Sequence, residues 1–143
     1  MSGLKLEVAN FRRWASESGK HPGCSAEWEC DYPNWLELYT AVEKFLESAT
    51  NRLLASDELD LLIYSLARDN EDEHILELLE RFPKTAMQLA QAGLNYSDIN
   101  ARWQIAVLLG RIKTPESIEL LQQYISDEAE YVRRRAGFAL EGK

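Results

Sequence analysis

The 143-residue sequence predicts an all-α fold, a short α-solenoid of antiparallel helix pairs with an irregular helical extension at its N-terminal end. Apolar residues recur at spacings of three and four along nearly every segment after residue 33, the period of a helix buried on one face. Capping residues, prolines and glycines punctuate the chain at the lengths of ordinary globular helices. No stretch alternates strictly between apolar and polar residues, as a half-buried strand would.

The elements follow in order. Residues 4–18 open the chain as one helix, with Leu4, Leu6, Val8, Phe11 and Trp14 as its apolar surface. Residues 19–33 differ, because Gly19-Lys20-His21-Pro22-Gly23-Cys24-Ser25 and Asp31-Tyr32-Pro33 are turn-forming runs on either side of Glu27-Trp28-Glu29-Cys30. A loop of that length inside a small domain is uncommon, and such loops are often functional. Asn34 with Glu37 reads as a capping box opening a helix over 35–47, whose Leu38, Val42, Phe45 and Leu46 share one face. Ser56 caps 57–67, where acids at 57, 58 and 60 suit the positive end of the helix dipole. Residues 71–81 form the next helix, with Ile75, Leu76, Leu78 and Leu79 inward and Pro83 beyond its end. A helix over 84–92 ends at Gly93 in a C′ position. Ser97 caps 98–109, which closes at Gly110, and Thr114-Pro115 opens 115–125. Asp127 with Glu130 is a further box, opening the last helix to Leu140 with Gly142 past it.

The whole chain, 1–143, is expected to be one domain, with a helical N-terminal part over 1–55 and repeats over 56–143. Hydrophobic residues at 45% and charged residues at 28% exclude disordered and collagen-like classes. A chain of this mass buries about two-thirds of its unfolded surface, so a core needs neither disulfides nor metals. No apolar run approaches the roughly 18 residues of a membrane span. The stretch from Met1 to Glu7 lacks a signal peptide's apolar core, so a cytoplasmic location is expected.

Net charge −8 argues against nucleic acid or an anionic membrane as partner. The charge is uneven: residues 1–50 carry 5 basic and 8 acidic side chains, 51–98 carry 4 and 10, and 99–143 carry 7 and 6. An acidic middle third steers a basic protein into contact. It also serves, more simply, as a solubilising face.

Neither catalysis nor a metal finds a foothold. His21-x2-Cys24-x5-Cys30 offers three zinc ligands where a structural site wants four at tighter spacing. Glu71-x-x-His74 is half of a di-iron motif, but Ser18 stands where the second half needs its Glu. No Gly-rich phosphate loop, zinc-protease helix or nucleophile elbow is present, so no enzyme activity and no cofactor are expected.

The chain repeats itself internally. A shift of 42 lays Leu76-Glu77-Leu78-Leu79 onto Ile118-Glu119-Leu120-Leu121, and a shift of 31 lays Val132-Arg133, Ala136 and Ala139-Leu140 onto Ala101-Arg102, Ile105 and Leu108-Leu109. Such periods with two helices per unit mark an α-solenoid. The unit Asp127-x4-Val132-Arg133-x2-Ala136-x2-Ala139-Leu140, after Thr114-Pro115-Glu116-Ser117-Ile118-Glu119-Leu120-Leu121, resembles a HEAT repeat of the bacterial type. The resemblance spans about 56–143, is strongest in the last unit and a half, and does not reach the first 50 residues. It implies that Arg102 and Arg133 bond acids or carbonyls of adjoining repeats, and that the second helix of each pair lines a concave binding face. The HEAT scaffold also occurs in DNA glycosylases, which resemble longer chains with a basic groove.

On that implied face Glu73, Glu77 and Glu80 share one stripe, and Glu116 and Glu119 hold matching positions in the next unit, so stacking would set one acidic stripe beside another. Trp28, Glu29, Asp31 and Tyr32 in the loop, with Asp69, Glu71 and Asp72 before the 71–81 helix, complete the candidate binding residues. Rigid rings among carboxylates match the make-up of interface hot spots, while Trp35 reads as a plug onto a neighbouring helix. A small, acidic, HEAT-like chain without chemistry of its own is similar to immunity proteins of bacterial toxin–immunity pairs. The expected function is therefore neutralisation of a basic toxin, such as a nuclease, through the acidic surface. A generic HEAT adaptor is the alternative, and a HEAT-like glycosylase the third.

Overall fold

In a computed structural model, which describes residues 2–22, 24 and 27–142, the described residues form eight α-helices and no strand. Met1, and Gly23 and Ser25 of the turn-forming run, lie outside the described residues. The helices are α1 (Ser2–Glu17), α2 (Trp35–Ser48), α3 (Ser56–Arg68), α4 (His74–Glu80), α5 (Pro83–Gly93), α6 (Ile99–Ile112), α7 (Pro115–Tyr124) and α8 (Glu130–Leu140), with a 3₁₀ turn over Trp28–Asp31 between the first two.

They stack in two rows, as a short α-solenoid does. Helices α3, α6 and α8 form one row, each packed on the next, while α4, α5 and α7 form the other. Helix α6 touches every one of these, which explains why its side chains from Ala101 to Ala106 are all buried. A helix apolar on most of its circumference belongs in an interior. The N-terminal extension carries both rows onward: α1 packs on α2 and α3, and α2 packs on α4. A single cluster of buried apolar residues accordingly runs from Leu4 to Ala136.

Packing, more than propensity, makes these elements. Helix α4 has seven residues, too short to stand alone in water. Its Ile75, Leu76, Leu78 and Leu79 are all buried, at about 1.5–3 kcal/mol of transfer free energy each. The helix starts later than the expected 71, because Glu73 takes a left-handed backbone (φ 55°) and residues 70–72 make a turn instead.

Several caps differ from expectation. Thr114 caps α7 as foreseen, exchanging hydrogen bonds with Ser117. At α3 the cap is Ala55, whose N–H donates to the Glu58 carboxylate at 2.8 Å, and Ser56 is already helical. At α6 Asp98, not Ser97, accepts the Asn100 N–H, and Asn34 makes no side-chain cap. Gly93 and Gly110 lie inside helical turns rather than past helix ends. Their role is close approach: a Cβ on Gly110 would stand 2.7 Å from the Ala139 Cβ and 3.2 Å from its backbone. Helix α6 runs on to Ile112 and is ended by Lys113, whose left-handed φ of 59° does what a glycine usually does.

Candidate functional site

The turn between α3 and α4 is held from below by two buried charged groups. The Asp69 carboxylate accepts the Tyr39 hydroxyl at 2.7 Å and the Ile75 N–H at 2.8 Å, tying the turn to α2 and to the first turn of α4. Burial pushes its pKa up to about 6, although both hydrogen bonds pull the other way. Tyr39 is in turn pushed well above the usual tyrosine range by burial and by Asp69.

Next to it, Arg68 is 2% exposed and lies between the Asp98 carboxylate and Glu29, whose Oε2 is 3.2 Å from Nη1. The Arg68 guanidinium also lies 5.2 Å from the Trp28 ring centre. Asn70 donates to Glu29 Oε2 at 3.1 Å and to the Ala67 carbonyl at 2.9 Å. These contacts dock the 3₁₀ turn onto the end of α3.

Four expected partner-binding residues are therefore part of the interior, and this corrects the sequence-based expectation. Trp28 and Tyr32 are buried, with Tyr32 4.5 Å and Trp28 6.1 Å from Phe11 between ring centres. Glu29 and Asp69 are buried in the polar contacts just described. The physical reason is that a loop of turn residues has no core of its own, so its large rings are drawn into the gap between α1, α2 and α3. Trp35 plugs that gap as expected, donating its indole N–H to the Glu29 carbonyl at 2.9 Å.

The remaining expected residues face solvent. Asp31, Glu71, Asp72, Glu77, Glu80, Glu116 and Glu119 are exposed, and Glu73 is half-buried. Loop and turn do meet: burial first, and then the fields of Asp72, Glu71, Glu27 and Glu29, push the Cys30 thiol pKa up. Glu27 and Glu73 both hold left-handed backbones, at φ 71° and 55°. A non-glycine residue in that region costs roughly 1–2 kcal/mol. Glu80 pairs with Arg111 at 3.6 Å, whereas Arg81 turns to Glu43 at 3.0 Å and leaves Glu77 alone. Among the described residues no cation lies within ion-pair distance of Glu71, Asp72, Glu73 or Glu77.

The two acidic stripes do not adjoin. Helix α5 packs on both α4 and α7, so Glu116 and Glu119 of α7 form a separate patch from Glu77. The 42-residue shift hid this, since it counted two helices where the fold places three. Arg102 behaves as the repeat pattern implied: it bonds Asp127, before the next repeat, at 2.8 and 3.1 Å and the Tyr96 carbonyl at 2.7 Å. Burial alone would raise the Asp127 pKa, but the Arg102 and Ala129 hydrogen bonds outweigh it and hold the carboxyl below its ordinary value. Arg133 donates to the Asp127 carbonyl at 2.8 Å.

Sequence reasoning missed a second surface, a groove of about 630 Å³ between α6 and α8 lined with cations and aromatic rings. Its one signal in the sequence is the slight excess of basic over acidic residues after position 98, 7 against 6. Cys24 and Cys30 are free thiols, and no helix among the described residues is long and apolar enough to cross a membrane.

Residues 59–141 match the family model for HEAT repeats. No curated protein and no solved structure matches the chain.

Proposed function

Because the chain belongs to the HEAT-repeat family, whose repeats generally serve as protein-interaction scaffolds, we propose that it is a non-catalytic module that takes a basic protein partner on its acidic surface. The observation that carries this reading is the set of uncompensated carboxylates at Glu71, Asp72, Glu73 and Glu77, with Glu27 beside them across Cys30. Two of these acids stand at backbone positions where glycine would be cheaper, and strain of that kind gathers at functional sites. Asp31 adds an exposed acid on the 3₁₀ turn that carries Cys30, and Glu116 and Glu119 offer a second, smaller patch. Buried Trp28, Glu29, Tyr32 and Asp69 support the patch from beneath and touch no partner.

The narrower reading is that the partner is a bacterial toxin domain, a nuclease being the type whose cationic cleft such a patch would fill, and that this chain is its cytoplasmic immunity protein. Small size and net charge −8 support it. Cells producing a candidate toxin test it: the chain should restore growth, and Glu71→Lys, Asp72→Lys and Glu77→Lys together should abolish the rescue while leaving helicity unchanged. Binding with on-rates indifferent to that change and to salt would overturn the electrostatic account. A scaffold joining two cellular proteins is the second reading, and the groove of opposite charge between α6 and α8 favours it.

A further inference from the structure

The α6–α8 groove differs from the rest of the molecule in sign. Arg111 and Lys113 line it from the end of α6, and Tyr131, Arg134, Arg135 and Phe138 from α8. Two of its cations are already answered, Arg111 by Glu80 at 3.6 Å and Arg134 by Glu130 at 2.7 Å. The other two are not: among the described residues no carboxylate lies within ion-pair distance of Lys113 or Arg135.

Arg135 is held in place for a planar ligand. Its guanidinium lies 4.5 Å from the Trp103 ring centre and donates through Nη1 to the Tyr131 hydroxyl at 2.8 Å. Trp103 is itself fixed by its indole N–H on Asn100 Oδ1 at 3.0 Å and by an edge contact with Tyr131 at 5.8 Å. A guanidinium stacked in this way loses little further freedom on binding and keeps donors for a carboxylate fork. Phe138 and Tyr131, 43% and 36% exposed, add an apolar shelf one face along α8. Aromatic rings beside arginine are what interface hot spots are made of.

We propose that this groove docks a short acidic peptide segment of a partner protein, its carboxylates on Arg135 and Lys113 and an apolar side chain on Phe138. Charge decides between occupants. A nucleic acid extends beyond the groove, and its further phosphates meet the field of a protein of net charge −8. A peptide segment ends where the groove does, and about 630 Å³ is within the size range of ligand clefts. Glu80, already paired with Arg111, also lines the groove, but none of the uncompensated acids Glu71, Asp72, Glu73 or Glu77 does, so the site is distinct from the acidic patch.

The test titrates the intact chain into fluorescein-labelled peptides by anisotropy. One peptide mixes aspartate and glutamate around a central leucine, one replaces its acids with lysine, and a short oligothymidylate completes the set. The acidic peptide should bind saturably, and Lys113→Glu with Arg135→Glu should weaken it by at least about tenfold. Arg135→Lys, which keeps the charge and loses the planar fork, should weaken it by a smaller factor with an unchanged circular dichroism spectrum. Glu77→Lys should leave it unaltered, which separates this proposal from the acidic-surface reading. No acidic-peptide binding below about 1 mM, preferential binding of the oligothymidylate, or a chain that self-associates through the groove in sedimentation would each overturn it.

Discussion

Two buried arginines hold the molecule together, and they do so on different terms. Arg102 joins one repeat to the next: both its carboxylate bonds go to Asp127 and its third to a backbone carbonyl nearby. Arg68 joins the repeats to something outside them, reaching Asp98 at the start of α6 on one side and Glu29 of the N-terminal loop on the other. Its Nε makes no hydrogen bond, and Nη1 meets Glu29 as an ionic contact without hydrogen-bond alignment. The repeat-to-repeat joint is thus fully bonded, while the joint to the extension depends more on charge balance and on the rings of Trp28 and Tyr64. A solenoid built from like units reuses its own joint, whereas an added pair of helices must be fastened by a device of its own.

Breaking either joint tests the contrast. Arg68→Met takes the cation from two carboxylates, buried Glu29 and half-buried Asp98, each left with one other donor (Asn70 and the Asn100 N–H), and should cost about 3–5 kcal/mol in chemical denaturation. Hydrogen exchange should then quicken first in residues 28–35, because the loop loses its anchor. Arg102→Met orphans only Asp127, which keeps the Ala129 N–H, so about 2–3 kcal/mol is expected and the quickening should fall around residues 96–102 and 127–133. Equal costs and one shared exchange pattern would erase the distinction between the joints.

Smaller changes sharpen it. Gly110→Ala should destabilise by about 1–3 kcal/mol, since the backbone of Ala139 stands in the way and the α6–α8 seam must open. Gly93→Ala should cost less, because its obstacle is the far methyl of Ile105, and helix propensity returns about 0.5–1 kcal/mol. The pH profile carries a further mark. Asp69 holds its proton up to about 6 in the folded chain and only to about 4 when unfolded. Its contribution is therefore present below about pH 4 and lost as pH rises through about 6. Glu58, lowered to about 2 first by its Arg52 hydrogen bond, works the opposite way, stabilising above about pH 4.3 and losing that as pH falls toward 2. Asp69→Asn should flatten the decline between about pH 4 and 6 in thermal melts. Glu73→Gly is the mildest change, a gain of roughly 0.5–1 kcal/mol from relieving a left-handed backbone, offset in part by glycine's entropy.

Much of the fold was legible in the sequence because its determinants are local. The three-and-four spacing of Leu38, Val42, Phe45 and Leu46 placed α2 and named its buried face, and Thr114-Pro115 marked the start of α7. The repeat resemblance implied that Arg102 bonds an acid or carbonyl of the adjoining repeat, because a repeat writes its contacts at a fixed offset, and the acid is Asp127. What depended on distant partners was not legible. Nothing near Trp28 or Tyr32 says that Phe11 waits to cover them, so they looked like anchors for a partner. Arg111 and Arg135 belong to different helices, and only the seam at Gly110 and Ala139 brings them to one groove. The acids of the α3–α4 turn were readable as a group because they fall within five residues, 69–73, broken only by Asn70, though Asp69 among them turns inward to Tyr39.

The acidic patch remains the center of the account, and the association rate of a partner with it is the most direct test. Stopped-flow or surface-based kinetics on whichever basic protein the chain captures would be run from about 0.01 M to 1 M salt, over which the screening length falls from roughly 30 Å to 3 Å. The rate should fall at least tenfold or so across that range, and Glu71→Lys with Glu77→Lys should bring the low-salt rate down to the high-salt value. A rate that stays constant in salt, and is the same for the charge-reversed chain, would contradict an electrostatic role for this surface.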